Sequence, residues 1–254
     1  MSESTIAKLR EIAESESEFI KDAGNFVPGD AKANALLSNL TEYPHLFVLG
    51  CVMDRQIKAE RAWLVPIRIG HEIGSFAFED FAALTLNQLQ ALFREHGLHF
   101  LINDMPPFFY QAIQHIAHEY NGYAANIWND NPSSARVVRR FMRFRGIGPK
   151  IATMAANILA RDFKIAMRDK VSIDISPDRH TRRVFYRLGL IYDQSDSDDL
   201  VYAAREINPE YPGLLDYAAF KIGREWCKER KPLCNQCLMN TVCLKKMGQA
   251  KEER

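Results

Sequence analysis

A chain of 254 residues is long enough for one large domain or two small ones, and 47% apolar content supplies a real core. No stretch approaches the roughly twenty consecutive apolar residues that a spanning helix needs, so no membrane association is expected. With 33 basic and 32 acidic residues the net charge is only +1, which argues neither for nor against a nucleic-acid partner and shifts the question to where the charges lie.

Apolar residues recur at three-and-four spacing nearly throughout, and alternating β-branched runs are scarce, so the prediction is an all-α fold. Ile6, Leu9, Ile12 and Ala13 mark a first helix, followed by the turn-rich Asn25-Phe26-Val27-Pro28-Gly29-Asp30. Further helices are predicted over 31–41, 45–54, 56–69, 77–82, 86–96, 106–120, 133–144, 149–161, 179–189, 197–206 and 212–225. Between them, Thr85 and Gln88 have the spacing of a capping box, Gly97 reads as a helix stop and Asn121-Gly122 as a turn. The polar residues 245–254 are expected to fray.

Basic residues cluster in two places. Between Asn131 and Lys150 stand Arg136, Arg139, Arg140, Arg143, Arg145 and Lys150 with no acid among them, and Asp178-Arg179-His180-Thr181-Arg182-Arg183 forms a second patch. Arg145-Gly146-Ile147-Gly148-Pro149-Lys150 ends one helical pattern and opens another. Gly146 and Gly148 permit a sharp turn and a close approach of backbone amides to an anion, and Pro149 suits the first helical position. Such a hairpin would grip a phosphate without reading sequence, although a Gly-x-Gly between helices is by itself more often a plain turn.

Four of the five cysteines, Cys227, Cys234, Cys237 and Cys243, fall within seventeen residues, with six, two and five residues between them. They read as a metal site. Tetrahedral zinc and an iron–sulfur cluster both use such a set; only Cys234 and Cys237 are knuckle-like, and the wider gaps reach around something larger, which favours a cubane. Disulfides are the bland alternative, but they belong mostly to small secreted domains, and no apolar leader opens this long chain; a reducing cytoplasmic setting, beside the nucleoid in a prokaryote, is expected. Cys51 sits in an apolar run, Leu46 to Met53, and is expected in the core.

The run Gly223-Arg224-x2-Cys227-x2-Arg230-Lys231-Pro232-x-Cys234-x2-Cys237-x5-Cys243 resembles the cluster loop of the endonuclease III family of helix-hairpin-helix DNA glycosylases. The resemblance implies a [4Fe-4S] cluster on the four thiolates, with Arg230 and Lys231 against DNA phosphates. Residues 144–152 are similar to the family's hairpin, Leu-Pro-Gly-Val-Gly-x-Lys-x-Ala, with Phe144-Arg145 in place of Leu-Pro. By that resemblance Lys150 is the nucleophile that attacks C1′ of the damaged nucleotide, Arg145, Gly146 and Gly148 contact the strand, and the enzyme cleaves the strand after excising the base. Asp178-Arg179-His180-Thr181-Arg182-Arg183-Val184 resembles the family's Asp-x-His-x-x-Arg-Val, which makes Asp178 the partner carboxylate, with Asp174 as a rival four residues earlier, and puts His180 and Arg183 near DNA. Asp178 also reads as a helix N-cap. Extrusion of the target nucleotide needs a wedge; Gln56 and the loop 97–107 are the candidates.

The resemblance implies an all-α, two-lobed protein: a six-helix barrel domain over 36–162 that ends in the hairpin, and an iron–sulfur domain of 1–35 plus 163–254. The expected partner is double-stranded DNA carrying a damaged base or an abasic site, bound by a monomer. Alternatives are a monofunctional glycosylase that uses water, and a noncatalytic iron–sulfur DNA-binding protein. Residues 57–81 and the loop 97–107 depart most from the family pattern, and the lesion is not legible.

Overall fold

Ten successive residues without a charged side chain, Pro44 to Met53, have no face to offer water, and the structure buries all ten. They form the central helix of an all-helical molecule, described here by a computed structural model over residues 2–18 and 24–246. Among the described residues the helices are α1 (Glu3–Glu18), α2 (Ala31–Ser38), α3 (Pro44–Met53), α4 (Ala59–Ile73), α5 (Phe78–Ala82), α6 (Leu86–Glu95) and α7 (Met105–Glu119). They continue as α8 (Ser134–Phe141), α9 (Pro149–Arg161), α10 (Arg179–Leu188), α11 (Ser197–Ile207) and α12 (Leu214–Glu225), with 3-10 turns at Ala124–Ile127 and Cys234–Gln236 and no strand. None of these helices is long and apolar enough to cross a membrane. Of the tail expected to fray, residues 247–254 lie outside the described residues.

The chain divides into two compact units, one formed by Lys21–Arg168 and the other by Met1–Ile20 with Asp169–Arg254. Residues 21–35 and 163–168 thus cluster with the hairpin unit.

In the hairpin unit α3 packs against α4 and α7. Phe47 stacks on Trp63 at 5.5 Å between ring centroids and meets Trp128, Phe141 and Phe163 edge-on at 6.1, 6.4 and 6.1 Å. A β-carbon on Gly50 would lie 2.3 Å from a ring carbon of Trp63, so glycine is what lets α4 approach α3 so closely. Local signals then set the ends. Thr85 and Gln88 form the full capping box, Oγ1 accepting from the Gln88 amide at 3.3 Å and the Thr85 amide donating to Oε1 at 2.9 Å. Asn121 and Gly122 both take positive φ, 54° and 75°.

Three helices have ends three or more residues from expectation. Helix α2 stops at Ser38, because the Asn39 side chain turns to accept the Glu42 amide at 3.0 Å. Helix α4 starts at Ala59 because Gln56 adopts φ 60°, and it runs through Pro66 to Ile73, since Ile67, Ile69 and Gly70 continue its buried stripe. Helix α8 ends at Phe141, where the amides of Arg143 and Phe144 fold back onto the carbonyls of Arg140 and Phe141 as a tight turn.

The second unit packs α1 and α10 against α12. Its core holds Leu9, Ile12, Ile175, Phe185, Leu188, Leu200, Leu215 and Ile222, with Cys227, Cys237 and Cys243 against it. At Gly223 an added β-carbon would stand 2.8 Å from that of His180, so glycine again permits the close crossing. The Thr5 hydroxyl donates to the carbonyl of Val242 at 2.8 Å, fastening the first helix to the last loop.

Candidate functional site

The hairpin is anchored from beneath and open above. Phe144 and Ile147 are buried, at 2% and 6% exposure, and the Ile147 amide donates to the Phe144 carbonyl at 3.1 Å. Gly146 lies at φ 92°, where a β-carbon would also come within 2.7 Å of the Phe108 ring. Gly148 is the N-cap of α9, with no side-chain cap, and Pro149 opens the helix. Unpaired first-turn amides at the positive end of a helix dipole suit a phosphate oxygen. Lys150 is exposed at the second helical position.

The hairpin and the loop after α3 share a wall. Phe108, in the first turn of α7, carries the Arg145 guanidinium at 4.9 Å from its ring centroid and the Arg55 guanidinium at 5.6 Å. Arg145 also donates to Gln111 Oε1 at 3.4 Å. Gln56, the candidate wedge, is exposed beside Arg55 in the same loop. In the loop 97–107, Leu98 is buried at 3% and Phe100 is exposed at 58%. Sequence reasoning passed over Asp54 at this place. Burial raises its carboxyl above the usual carboxylate range, and the Lys150 ammonium draws it partway back. A lone acid closing an all-apolar helix was the available signal.

In the other unit, Asp178 is the N-cap of α10. Its Oδ1 accepts the amides of His180 and Thr181 at 2.5 and 2.8 Å, and Thr181 Oγ1 accepts the Asp178 amide at 3.0 Å. The capping and the catalytic readings are compatible, because the bonds fall on one oxygen. Asp174 is instead held bidentately by Arg205, at 2.8 and 2.9 Å. His180 packs edge-on to Phe220 at 5.5 Å, and its pKa is lowered, chiefly by burial.

Arg183, expected near DNA, is only 4% exposed. Its guanidinium donates to the carbonyls of Cys227 at 2.7 Å, Gly223 at 2.9 Å and Arg179 at 3.3 Å, and meets His180 Nδ1 at 2.9 Å. With its donors so committed, Arg183 joins α10 to the start of the cysteine loop. Arg187, one turn on and unforeseen, does the same further along: it donates to the carbonyls of Lys228 and Glu229 at 2.7 and 2.8 Å and lies 3.4 Å from Cys227 Sγ. Two inward arginines four apart on one helical stripe were the sequence signal for this clamp.

The four thiols of that loop line one cavity, together with Arg187, Trp226, Pro232, Asn240 and Lys245. All five cysteines of the chain are free of disulfides, and Cys51 is fully buried in α3. Among the described residues, no three metal-binding side chains converge on a point that would hold a single ion. Burial pushes the Cys237 and Cys243 thiols above their ordinary range, while the Lys245 amide donates to Cys243 Sγ at 3.3 Å. Arg230 and Lys231 are exposed at the outer side of the loop.

No protein-family model and no curated protein matches the sequence. Solved structures do match in shape. A trapped endonuclease III–DNA covalent intermediate superimposes with a TM-score of 0.60 at 19% identity, over 94% of this chain and 95% of that one. A thermostable thymine-DNA glycosylase gives 0.61 at 15% identity, over 95% and 97%. The 8-oxoguanine DNA glycosylase of Thermotoga maritima gives 0.52 at 19% identity, over 87% and 96%. The chain therefore has the helix-hairpin-helix DNA-glycosylase fold.

Proposed function

We propose that the protein is a base-excision DNA glycosylase with associated lyase activity, in which Lys150 attacks C1′ of a damaged nucleotide and forms a Schiff base. The observation that carries this reading is an exposed lysine in the first turn of an uncapped helix, at the exit of a Gly-x-Gly hairpin, in a chain with the glycosylase fold. An amine can become an iminium ion and so open a route to β-elimination of the strand, which water as nucleophile does not offer.

Asp178 is the carboxylate assigned to stabilise charge on the sugar, since Asp174 is already neutralised by Arg205. Lys150 belongs to one unit and Asp178 to the other. The hairpin amides, Arg145, Gly146 and Gly148 would take the strand phosphates, Arg230 and Lys231 the phosphates at the cysteine loop, and Gln56 or Phe100 the gap left in the stack. The partner is duplex DNA with a damaged base or an abasic site, bound by a monomer whose barrel domain is the unit Lys21–Arg168 and whose cluster domain is Met1–Ile20 with Asp169–Arg254. We assign the cytoplasm as its compartment, where four free thiols stay reduced.

The cysteine cavity fits a [4Fe-4S] group. Four thiols surround one space, no single-ion site forms among them, and Arg187 and the Lys245 amide supply the donors that thiolate sulfur takes. When bound, the group would supply four Fe–S bonds that fix the loop's shape, while the protein's own carbonyl clamps hold the loop to α10.

Borohydride trapping on an abasic duplex tests the mechanism: the native protein should cross-link and Lys150→Ala should not. Equal trapping by both ends the claim for Lys150. Base release without trapping would identify the monofunctional alternative. Iron and a broad visible absorption band in natively purified protein test the cluster, and stoichiometric zinc without iron would refute it.

A further inference from the structure

The carboxylate of Asp54 stands where a folded protein has reason not to put one. It is half buried, it has no hydrogen bond or ion pair with any described residue, and it is the C-cap of α3, at the negative end of that helix's dipole. Each of these disfavours the charged form, and a group held against stability is a functional candidate.

Geometry places this group at the hairpin. Asp54 is gripped by its backbone, its amide donating to the Cys51 carbonyl at 3.2 Å and that of Arg55 to Met53 at 2.7 Å, before the chain turns through Gln56 at φ 60°. Arg55 and Arg145 lie over the same Phe108 ring, and Gly146 touches that ring, so the Asp54 loop and the hairpin that ends in Lys150 share a wall within one unit. His99, 2% exposed, is buried near the turn, with the backbone of Met53 and Arg55 beside its ring; Nδ1 accepts the Leu101 amide at 3.0 Å and Nε2 has no partner. The charged and titratable groups around the carboxylate are Lys150, Arg55, His99 and Cys51, and Lys150 is the one that draws its proton off.

We propose that Asp54 is the proton acceptor for Lys150, a second carboxylate of the site that serves the amine rather than the sugar. The two groups sit at opposite kinds of helix end. Lys150 opens α9 and Asp54 closes α3, and the negative end of the α3 dipole favours the protonated carboxyl. DNA covering the site would strip water from the pair and favour its neutral form further. The proton leaves Nζ for a carboxylate oxygen, and the freed lone pair forms the Nζ–C1′ bond as the glycosidic bond breaks. The bonding electrons leave with the base, which takes a proton from water, Asp54 gives its own proton to the hydroxide so formed, and the nitrogen keeps the positive charge. Asp54 is thus a positioning residue acting through Lys150; the role rests on the Schiff-base reading above.

The test compares Asp54→Asn and Asp54→Glu with the native protein by borohydride trapping on an abasic duplex across pH, with the melting temperature read alongside. At pH 7 the Asn variant should trap about 100-fold more slowly and recover as pH rises, with Glu restoring part of the rate. Its melting temperature should hold or rise, because an unpaired half-buried charge has gone. An Asn variant with the native trapping profile overturns the role of Asp54 alone, as does a marked fall in its melting temperature. A native protein that never traps overturns the Schiff-base reading, and this role with it.

Discussion

The cysteine loop and the hairpin are held by opposite means. The loop sets Met239 into the core and is held on its backbone by Arg183 and Arg187, which donate into its carbonyls from α10. The hairpin rests on buried Phe144 and Ile147 and leaves its polar groups open. On the function proposed above, polar clamps on the backbone suit a segment that would wrap an inorganic group, and free amides over a rigid core suit one that would grip a phosphate.

The sharpest way to break this contrast is Arg187→Ala. Two carbonyls and a sulfur would lose their donor, costing about 3 kcal/mol, and iron should be largely lost; melting temperature and iron content read both. Acid should strike the other unit. His45, 1% exposed in α3 among Phe78 and Phe81, is pushed down to about 4, chiefly by burial, with a backbone bond to Phe76 working against it. The unfolded chain protonates near 6.5 while the folded one resists to about 4, so stability should fall by up to about 3 kcal/mol as pH drops through that window. Urea unfolding at pH 7 and 4.5 measures it, and His45→Leu should narrow the difference. Gly146→Ala, strained at φ 92° and pressed on Phe108, should lose about 2 kcal/mol and weaken binding to an abasic duplex, leaving iron untouched. Smallest is Lys150→Ala, within about 0.5 kcal/mol of native stability on this exposed position.

Helix identity was legible because periodicity survives wherever a helix has one buried face, as in α6 with its capping box. Ends were less so: the carry of α4 through Pro66 depends on tertiary burial of the residues beyond it, which no local signal encodes. Spacing picked out four cysteines that line one cavity, and the glycines picked out the turn before α9. Arg183 could not, since a basic residue in a charged run looks the same whether it faces a phosphate or three carbonyls of its own chain. Asp54 escaped because its meaning lies in a loop, an aromatic wall and a lysine nearly a hundred residues away, all brought together only by folding.

The bond from Thr5 to Val242 joins residues 237 positions apart. Contacts so far apart in sequence form slowly, so α1 should dock only after the helix it rests on, α12, has packed.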